Sequence, residues 1–436
     1  MNDIESDNLA HTGLDMYSLM EELYPICRSI TGDGVRETLK ILQKHIPLQI
    51  REVPTGTKVL DWTIPKEWNI RDAYIKDPNG KMIVDFRETN VHVISYSTPV
   101  NKKIPLDELK KHLHSLEQYP DWIPYLTSYY NENWGFCLTH NTVKKLTDGE
   151  YDVKIDSTFK EGSLSYGEFF LKGESDEEVL LSTYLCHPSL CNDNLSGVVL
   201  LTRLAEYLKG KKLKYSYRFL FIPETIGAIA WLSKNEMNLS KIKFGLVATC
   251  VGDRGNSTYK QSRNAMDTID RIVQKVLEDS GTPFRIMEFW PSGSDERQYS
   301  SPGFNLPIGS LMRTCYGHFP EYHTSADNLD FITAEHLADS LKKYLAVIFI
   351  IENDMTYINT NPKGEPQLGR RGLYAKIGGT KNAGMDELSI LWVLNHSDGN
   401  HSLLDISIRS KIHFRTIRQA ANALESCGLL VPTDTK

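Results

Sequence analysis

Short apolar runs alternate with helix-like stripes through the middle of this chain. Runs typical of buried strands cover Glu178–Tyr184, Ser216–Ile222 and Phe244–Cys250. Between them, apolar residues recur with the helical period, first from Ser196 to Lys209 and later over Asp267–Asp279. Strands that alternate with helices predict an α/β fold with a mostly parallel sheet and helices on both faces.

The same alternation continues to the end of this region. Phe284–Phe289 and Pro307–Arg313 are two further predicted strands, and Leu337–Glu352 is a predicted apolar helix. Two amphipathic helical stripes, Asp15–Ile30 and Asp33–His45, precede the region near the start of the chain. We therefore assign residues 12–58 and 141–356 to one α/β core.

A different pattern separates the two parts of this core. Between residues 59 and 140, short segments of β-type alternation, such as Ile83-Val84 and His92–Tyr96, are broken by Pro, Asn and Gly. The pattern predicts a β-rich inserted domain over 59–140. Its aromatic residues, Trp62 and Trp134 among them, either form the core of the insertion or line a cleft.

The end of the chain predicts a separate small domain after the linker Thr360–Arg371. Helical patterns over Asp386–Asn395, Leu403–Ser410 and Phe414–Ser426 precede a strand that begins at Gly428. Three helices followed by a strand resemble a winged helix-turn-helix, which we place at residues 370–436.

The predicted recognition helix of this domain begins at His413 and would present Arg415, Arg418 and Gln419 outward. Nucleic-acid binding requires a strongly basic face, and these residues provide only a thin one. DNA is therefore a partner that the fold allows but the sequence does not favour. Protein interaction, including assembly of identical chains, ranks ahead of it.

Composition narrows the class of protein. The 436 residues are 40% hydrophobic and 24% charged, with a formal net charge of −7. These values are typical of a soluble globular protein and weigh against an electrostatic nucleic-acid binder. We expect no signal peptide, no membrane span and no membrane partner. The odd number of cysteines, seven, favours free thiols and a cytoplasmic location.

Candidate chemistry follows the ends of the predicted strands. His187 and Asp193 come after the first strand, Glu224 after the second, and His323 in a later loop. Imidazole and carboxylate are good zinc ligands, and a Glu beside a metal is a candidate general base. Because ligands bind beyond the carboxyl ends of strands in open α/β sheets, this recurrence predicts one site. Each motif alone also fits a polar turn with a helix cap.

Three motifs in this order resemble the zinc aminopeptidase family that includes glutamate carboxypeptidase and the transferrin receptor. They are Asp193-Asn194-Leu195-Ser196-Gly197, Glu224-Thr225-Ile226-Gly227 and His323-Thr324-Ser325-Ala326-Asp327. The whole chain resembles, more closely, the bacterial aminopeptidase-like proteins associated with polysaccharide biosynthesis. The resemblance implies His187, Asp193 and His323 as metal ligands and Glu224 as the catalytic residue, which would activate a metal-bound water or else serve as a fourth ligand.

The chain departs from the family pattern at three positions. Two acidic metal ligands of the family fall on Thr225 and Thr249, and a second-sphere Asp falls on Ser189. Threonine is a poor zinc ligand, so we expect one zinc ion rather than two. Cys186 and Cys191 flank His187, but no second cysteine pair completes a structural zinc site.

The resemblance implies that the loop with Asp295 and Glu296 lies near the substrate, although a solvated charge cluster fits equally. In the later Gly/His/Pro loop, Tyr316 and Glu321 are candidate substrate contacts, and Glu321 could instead supply a missing metal ligand. The leading hypothesis is a zinc-dependent, aminopeptidase-like hydrolase that cleaves a peptide or other amide bond with metal-activated water. Small peptides, aminoacyl amides and glycan-linked amides all fit as substrates. The alternative is a catalytically degenerate aminopeptidase fold that binds a ligand or partner and carries a winged-helix interaction or DNA-binding module.

Overall fold

The computed structural model describes residues 6–373 and 387–433, without the side chains of residues 6–8. The chain divides into a large unit, Asn2–Asp270 with Pro283–Lys342, and a small unit that contains Arg271–Thr282 and Lys343–Lys436. Residues 374–386 and 434–436 of the predicted winged-helix domain lie outside the described residues. The predicted domain limits, 59–140 for the insertion and 370–436 for the winged helix, stay predictions.

The helices in the described residues are, in chain order, α1 (Ser6–Leu23), α2 (Asp33–Leu42), α3 (Leu106–Leu109), α4 (His140–Val143), α5 (Ser196–Leu208), α6 (Ile226–Asn235), α7 (Thr268–Asp279), α8 (Glu296–Tyr299), α9 (Ala334–Asn353), α10 (Glu387–His396), α11 (Leu403–Ser410) and α12 (Phe414–Ser426).

The strands in the same residues are β1 (Gln49–Pro54), β2 (Lys58–Val59), β3 (Trp62–Thr63), β4 (Glu67–Lys76), β5 (Met82–Asp85), β6 (Val100–Pro105), β7 (Leu113–His114), β8 (Phe136–Cys137), β9 (Glu150–Lys160), β10 (Ser163–Leu171), β11 (Glu178–Tyr184), β12 (Ser216–Ile222), β13 (Ile242–Ala248), β14 (Ser257–Lys260), β15 (Phe284–Met287), β16 (Ile308–Met312), β17 (Thr356–Asn359), β18 (Asp398–Ser402) and β19 (Leu430–Pro432).

An eight-stranded sheet forms the centre of the large unit, in the order β1-β10-β12-β11-β13-β16-β14-β15. The neighbours β12, β11, β13 and β16 are all parallel, whereas β1, β10 and β14 pair in antiparallel fashion at either side. Every residue of β11 is buried, as expected for a strand covered on both faces. The predicted α/β class with a mainly parallel central sheet is confirmed.

The helix α6 packs against one face of this sheet because its residues from Ile226 to Leu232 are almost all apolar. They share a buried core with Leu180 of β11, Leu220 of β12 and Val247 of β13. Trp68 of β4 and Tyr96, which come earlier in the chain, are part of the same core. The helix thus fixes the turn in which the chain leaves β12 and reaches Glu224.

A four-stranded sheet, β5-β4-β9-β6, follows the central sheet's first strand along the chain. Its long pairing of β4 with β9 buries a separate apolar core that includes Ala73, Val84 and Val153. The β-type segments of the predicted insertion therefore pair with Glu150–Lys160, which lies beyond residue 140.

The small unit contains the three predicted helices of the winged helix as α10, α11 and α12, with β19 after them. A sheet in the order β18-β17-β19 completes it, so a strand before the first helix and one between the helices were missed from the sequence. Ser402 and Asp405 form a reciprocal capping box that begins α11.

Two further findings concern the whole set of described residues. None of the helices there combines the length and apolar character that crossing a membrane requires. All seven cysteines have free thiols, as the odd count predicts.

Candidate metal centre

The parallel strands place the candidate residues at one edge of the central sheet. β11 ends at Tyr184 just before His187, β12 ends at Ile222 just before Glu224, and the paired register sets Tyr184 opposite Ile222. Since the carboxyl ends of parallel strands share one edge, residues distant in sequence converge there.

Three side chains meet at this edge with the spacing of metal ligands. The Oδ2 atom of Asp193 lies 2.9 Å from Nε2 of His323 and 3.7 Å from Nε2 of His187. Tetrahedral zinc with bonds of about 2.0–2.1 Å separates its ligand atoms by about 3.3 Å, a value between these two. The three residues form one of two groups in the described residues whose atoms could hold a metal ion.

Two of these atoms are buried and have no polar partner within hydrogen-bond distance other than each other. Oδ2 of Asp193 and Nε2 of His323 lie 2.9 Å apart, and neither makes a further hydrogen bond in the described residues. Native structures seldom leave buried polar atoms unpaired, and a cation between the three side chains would satisfy both. The donor set therefore fits zinc.

The other oxygen of Asp193 is already in use. The hydroxyl of Tyr184 donates a hydrogen bond to Oδ1 of Asp193, and the same hydroxyl lies 2.7 Å from Oγ1 of Thr249. Asp327 holds the main chain of the same turn, because its carboxylate accepts from the amides of Asn192 (2.6 Å) and Asp193 (2.9 Å). Asp193 thus offers one oxygen to the centre.

Charge at the centre is set by burial and by neighbouring groups. Burial by itself would raise the pKa of Asp193, but the nearby His187 and His323 and the Tyr184 hydroxyl hold it at about 2. Burial lowers the pKa of His187 to about 4. At neutral pH the centre consequently presents an anionic carboxylate and a neutral His187 imidazole, the forms in which these groups bind metals.

Glu224 lies beside the three ligands and remains partly open to solvent. Its Oε2 atom is 3.9 Å from Nε2 of His187, and 27% of its side chain is exposed. Burial, followed by the negative charges of Asp295 and Asp193, raises the pKa of Glu224 well above its usual value. A raised pKa makes the carboxyl a weaker acid and the carboxylate a stronger base, which favours the uptake of a proton from water.

The four predicted substrate-binding residues are not placed alike. Oδ1 of Asp295 accepts a hydrogen bond from the amide of Thr225, next to Glu224. Glu296 is fully buried and pairs with Nζ of Lys260 at 2.7 Å, and the hydroxyl of Tyr316 donates to Glu296 Oε1 at 3.0 Å. Glu321 is half-buried, and its carbonyl accepts from the hydroxyl of Thr324 at 2.8 Å. Their role in substrate binding stays a prediction.

The three positions that depart from the family pattern have internal partners. Thr225 has φ of 62°, and its hydroxyl accepts from Arg297 at 3.0 Å. The hydroxyl of Ser189 donates to the carbonyl of Tyr24 at 2.6 Å. Together with the contact between Thr249 and Tyr184, these hydrogen bonds occupy the side chains that stand where the family has carboxylates.

Several residues around the centre had been missed from the sequence. Tyr125, in the predicted insertion, donates its amide to the carbonyl of His323 at 2.8 Å, and the centre of its ring lies 5.3 Å from that of His187 and 5.2 Å from that of His323. The sequence gave Tyr125 only as one of the aromatic residues of the insertion that either form its core or line a cleft, with nothing to connect it to His323. Tyr184 ends a buried strand, where a hydroxyl needs a partner, and that signal was available.

A cysteine also lies next to the centre. Sγ of Cys186 is 3.7 Å from Nδ1 of His187 and accepts from the amide of Glu224 at 3.2 Å. Cys186, His187 and Glu224 are the second group of described residues with metal-ligand spacing. Burial raises the pKa of Cys186 well above its usual value, so the thiol is protonated and a poor ligand.

Comparison with known proteins agrees with this architecture. Residues 17–354 match the family model described as a domain of unknown function, DUF4910, and residues 355–432 match a winged helix-turn-helix model. The chain is 58% identical, over 97% of both chains, to a protein from Clostridium acetobutylicum that is named for polysaccharide biosynthesis and an aminopeptidase-like domain.

Solved structures show the same fold. A crystal structure of a candidate peptidase from Clostridium acetobutylicum is 57% identical and superposes with a TM-score of 0.94, covering 98% of each chain. A zinc aminopeptidase from Bacillus subtilis is 13% identical, with a TM-score of 0.58 over 78% of this chain and 95% of that one. An M28 peptidase precursor from Shewanella amazonensis is 14% identical, with a TM-score of 0.54 over 80% and 96%.

The predicted aminopeptidase-like fold and the C-terminal winged helix are confirmed by these matches. The narrower likeness to the transferrin receptor branch stays a prediction. Since residues 17–354 match its model and contain the His187–Asp193–His323 centre, the chain belongs to the DUF4910 family, and a winged helix-turn-helix follows at residues 355–432.

Proposed function

We propose that this protein is a zinc-dependent hydrolase of aminopeptidase type, which cleaves an amide bond with Glu224 as general acid and base. The observation that carries the proposal is the convergence of Asp193 Oδ2, His187 Nε2 and His323 Nε2, two of which are buried with no hydrogen-bond partner other than each other. A polar cluster of this kind is costly unless a cation completes it.

Separate residues would bind the metal ion and transfer the proton. His187, Asp193 and His323 would hold the ion, which supplies Lewis acidity to a carbonyl oxygen and acidifies water. The Glu224 carboxylate takes the proton from the attacking water and returns it to the leaving nitrogen. Its raised pKa favours the first of these transfers, and Asp295 supports that value through like-charge repulsion.

We expect one ion per chain. Binding of a second ion by Asp193 would need its Oδ1 atom, which accepts the hydrogen bond of Tyr184. Thr225 and Thr249, which stand where the family has further acidic ligands, have hydroxyls that bond to Arg297 and Tyr184. The two positions that hold further acidic ligands in the family thus supply no carboxylate for a second ion here.

The substrate class is inferred from the name of a relative and from the burial of Glu224. The name of the Clostridium acetobutylicum relative refers to polysaccharide biosynthesis, so amides on sugars join short peptides and aminoacyl amides as candidates. We propose that the amide is carried by a small molecule, because the candidate base is only 27% exposed and lies among buried residues.

The experiment is a metal analysis by elemental mass spectrometry on protein purified without chelator, together with His187→Ala and His323→Ala. We expect about one zinc per chain in the unmodified protein and a loss in both variants, since each removes one of three protein ligands. A panel of peptide, aminoacyl and sugar amides then tests hydrolysis, with Glu224→Gln as the inactive control that still binds zinc.

Each result has a distinct meaning. If the protein binds zinc but hydrolyses no amide of the panel, so that it behaves like Glu224→Gln, the result would support the alternative of a binding protein built on a peptidase fold. Protein that takes up no zinc even when the ion is supplied would refute the hydrolase proposal. Two zinc ions per chain would contradict the single-ion centre.

A further inference from the structure

A buried arginine holds the loop that carries His187. Arg28 follows α1 in the chain and is only 1% exposed. Its Nε atom donates to the carbonyl of His187 at 2.9 Å, and Nη2 donates to the carbonyl of Pro188 at 2.8 Å. Its Nη1 atom donates to the carbonyl of Leu23, the last residue of α1, at 2.7 Å.

The partners of this guanidinium are unusual for a buried charge. In the described residues Arg28 forms no ion pair with a carboxylate, and all three hydrogen bonds go to main-chain carbonyls. Burying an unpaired cation is costly, so its location requires a compensating structural role. Two of the three carbonyls belong to the metal-ligand loop.

The planar fork of an arginine explains why this residue type stands here. Its N–H groups point in fixed directions and can hold two successive carbonyls at once, which a lysine ammonium cannot do with the same geometry. The carbonyls of His187 and Pro188 are therefore held as a rigid pair. With them fixed, the main chain of His187 directs the Cα–Cβ bond from which the imidazole reaches Asp193.

The same loop is anchored again one residue later. The amide of Ser189 donates to Oδ1 of Asn90 at 3.0 Å, and its hydroxyl donates to the carbonyl of Tyr24. The segment from Tyr24 to Arg28 thus contacts three consecutive residues of the loop. The imidazole of His187, by contrast, forms only ring contacts, with Tyr125 and Tyr184 among others, and distant polar contacts of 3.7 Å or more with Cys186, Asp193 and Glu224 in the described residues.

We propose that Arg28 is a positioning residue of the metal centre, which fixes the main chain at His187 so that Nε2 faces Asp193 and His323 before an ion binds. The inference rests on the proposed zinc centre but not on hydrolysis. Partners that orient metal ligands typically contribute about 10- to 100-fold to metal affinity.

The test compares zinc affinity, by competition with a chromogenic chelator, in Arg28→Met and Arg28→Lys. Arg28→Met should weaken zinc binding by about 10- to 100-fold, and Arg28→Lys, which keeps the charge without the fork, by a smaller factor. Cobalt(II) substituted for zinc should give a changed visible spectrum in Arg28→Met, because the ligand geometry is altered.

Arg218→Met is the matched control. Arg218 lies on β12, is 16% exposed and forms ion pairs with Glu168 and Glu178. Its loss should lower the stability of the same unit without changing zinc affinity or the cobalt spectrum. If Arg28→Met does not fold, the zinc affinity and cobalt spectrum of Arg28→Lys are compared with those of Arg218→Met instead.

Zinc affinity and a cobalt spectrum equal to those of the unmodified protein in a folded Arg28→Met, or in Arg28→Lys if that is the only folded variant, would overturn the inference. An equal loss of affinity in Arg218→Met would do so too, because the effect would then be one of general stability. Unmodified protein that binds zinc but hydrolyses no amide would refute only the proposed function. Unmodified protein that binds no zinc would refute both.

Discussion

Asp193 is the residue on which the centre depends, because its two oxygens have different tasks. Oδ1 accepts from Tyr184, whereas Oδ2 faces His187 and His323 without a further hydrogen bond. Asp193 is fully buried, and its pKa is nevertheless held at about 2. The carboxylate is therefore oriented and charged by its surroundings before any ligand arrives.

Tyr184→Phe tests this orientation. Removing the hydroxyl should lower zinc affinity by about 10-fold, since Asp193 loses the donor that fixes its plane. Chelator competition measures the change. Tyr259→Phe is the control, because Tyr259 also donates to a buried carboxylate, Asp270, at 2.8 Å. Equal zinc affinity in the two variants would contradict the role of Tyr184.

The buried pair of Lys260 and Glu296 gives a second test at this scale. Both side chains are fully buried, and Lys260 also donates to the carbonyl of Ser292 at 2.7 Å. Lys260→Met should lower the free energy of unfolding by about 3–5 kcal/mol, because it leaves the Glu296 charge buried and unpaired. Urea denaturation measures the loss.

Two comparisons make this result specific. Lys44→Met breaks an exposed pair with Glu22, whose side chains are 65% and 46% exposed, and should cost only about 0–1 kcal/mol. Adding Glu296→Gln to Lys260→Met should restore part of the lost stability. A Lys260→Met protein as stable as Lys44→Met would argue against an ionised Glu296.

At the scale of elements, the start of α5 is locked onto the sheet at Gly197. A Cβ atom there would lie 2.5 Å from Oγ1 of Thr183 and closer still to the carbonyl oxygen of Ala248. The glycine of the Asp-Asn-Leu-Ser-Gly motif thus serves close packing of the helix on β11 and β13. It is a structural position within the motif that also contains Asp193, the proposed metal ligand.

Gly197→Ala should accordingly destabilise the protein by about 1–3 kcal/mol, because the added methyl group forces the helix away from the strands. Urea denaturation measures the free energy of unfolding, and the zinc affinity of Gly197→Ala should be lowered as well. Gly303→Ala is the control, since no atom lies within 4 Å of a Cβ built there. A Gly197→Ala protein with unchanged stability would show that α5 can move without cost.

At the scale of the whole molecule, the small unit presents its winged helix in a way that disfavours DNA. The first residue of the predicted recognition helix α12 is next to a carboxylate, since the amide of Phe414 donates to Oδ2 of Asp279 at 3.0 Å. The Arg415 guanidinium lies 4.6 Å above the ring of Phe349, and Nη1 of Arg418 donates to the hydroxyl of Tyr357. Neither arginine points freely outward, contrary to the sequence-based expectation.

We therefore predict that the full chain does not bind DNA specifically. Winged-helix readers place the N-terminal residues of this helix on base edges, and here that end is next to a carboxylate. The net charge of −7 adds general repulsion. Fluorescence anisotropy with mixed duplexes at physiological salt should give no dissociation constant below about 10⁻⁶ M, the tight end of non-specific binding. Nanomolar binding would contradict this.

The α/β alternation and the positions of its strands were predictable from the sequence. Glu178–Tyr184 and Ser216–Ile222 were predicted with the limits that the structure has, because a fully buried strand is a continuous apolar run with polar ends. The strand β17 was missed, since a short strand of mixed burial has no clear alternation.

The sequence by itself also determined the identity of the residues at the centre, because His187, Asp193, Glu224 and His323 each follow a local signal at the end of a strand or in a polar loop. Their ability to act as ligands or as a base is a property of the residue type. The neighbours that each side-chain atom contacts are not determined by the residue type.

Only the tertiary structure decided which atoms complete the centre. Arg28 and His187 are 159 positions apart, and Tyr125 reaches His323 from the predicted insertion. Such contacts arise from topology and packing, which a local pattern of polar and apolar residues does not encode. The same holds for Tyr184, which determines that Asp193 offers one oxygen, and for Asp279, which covers the start of the recognition helix.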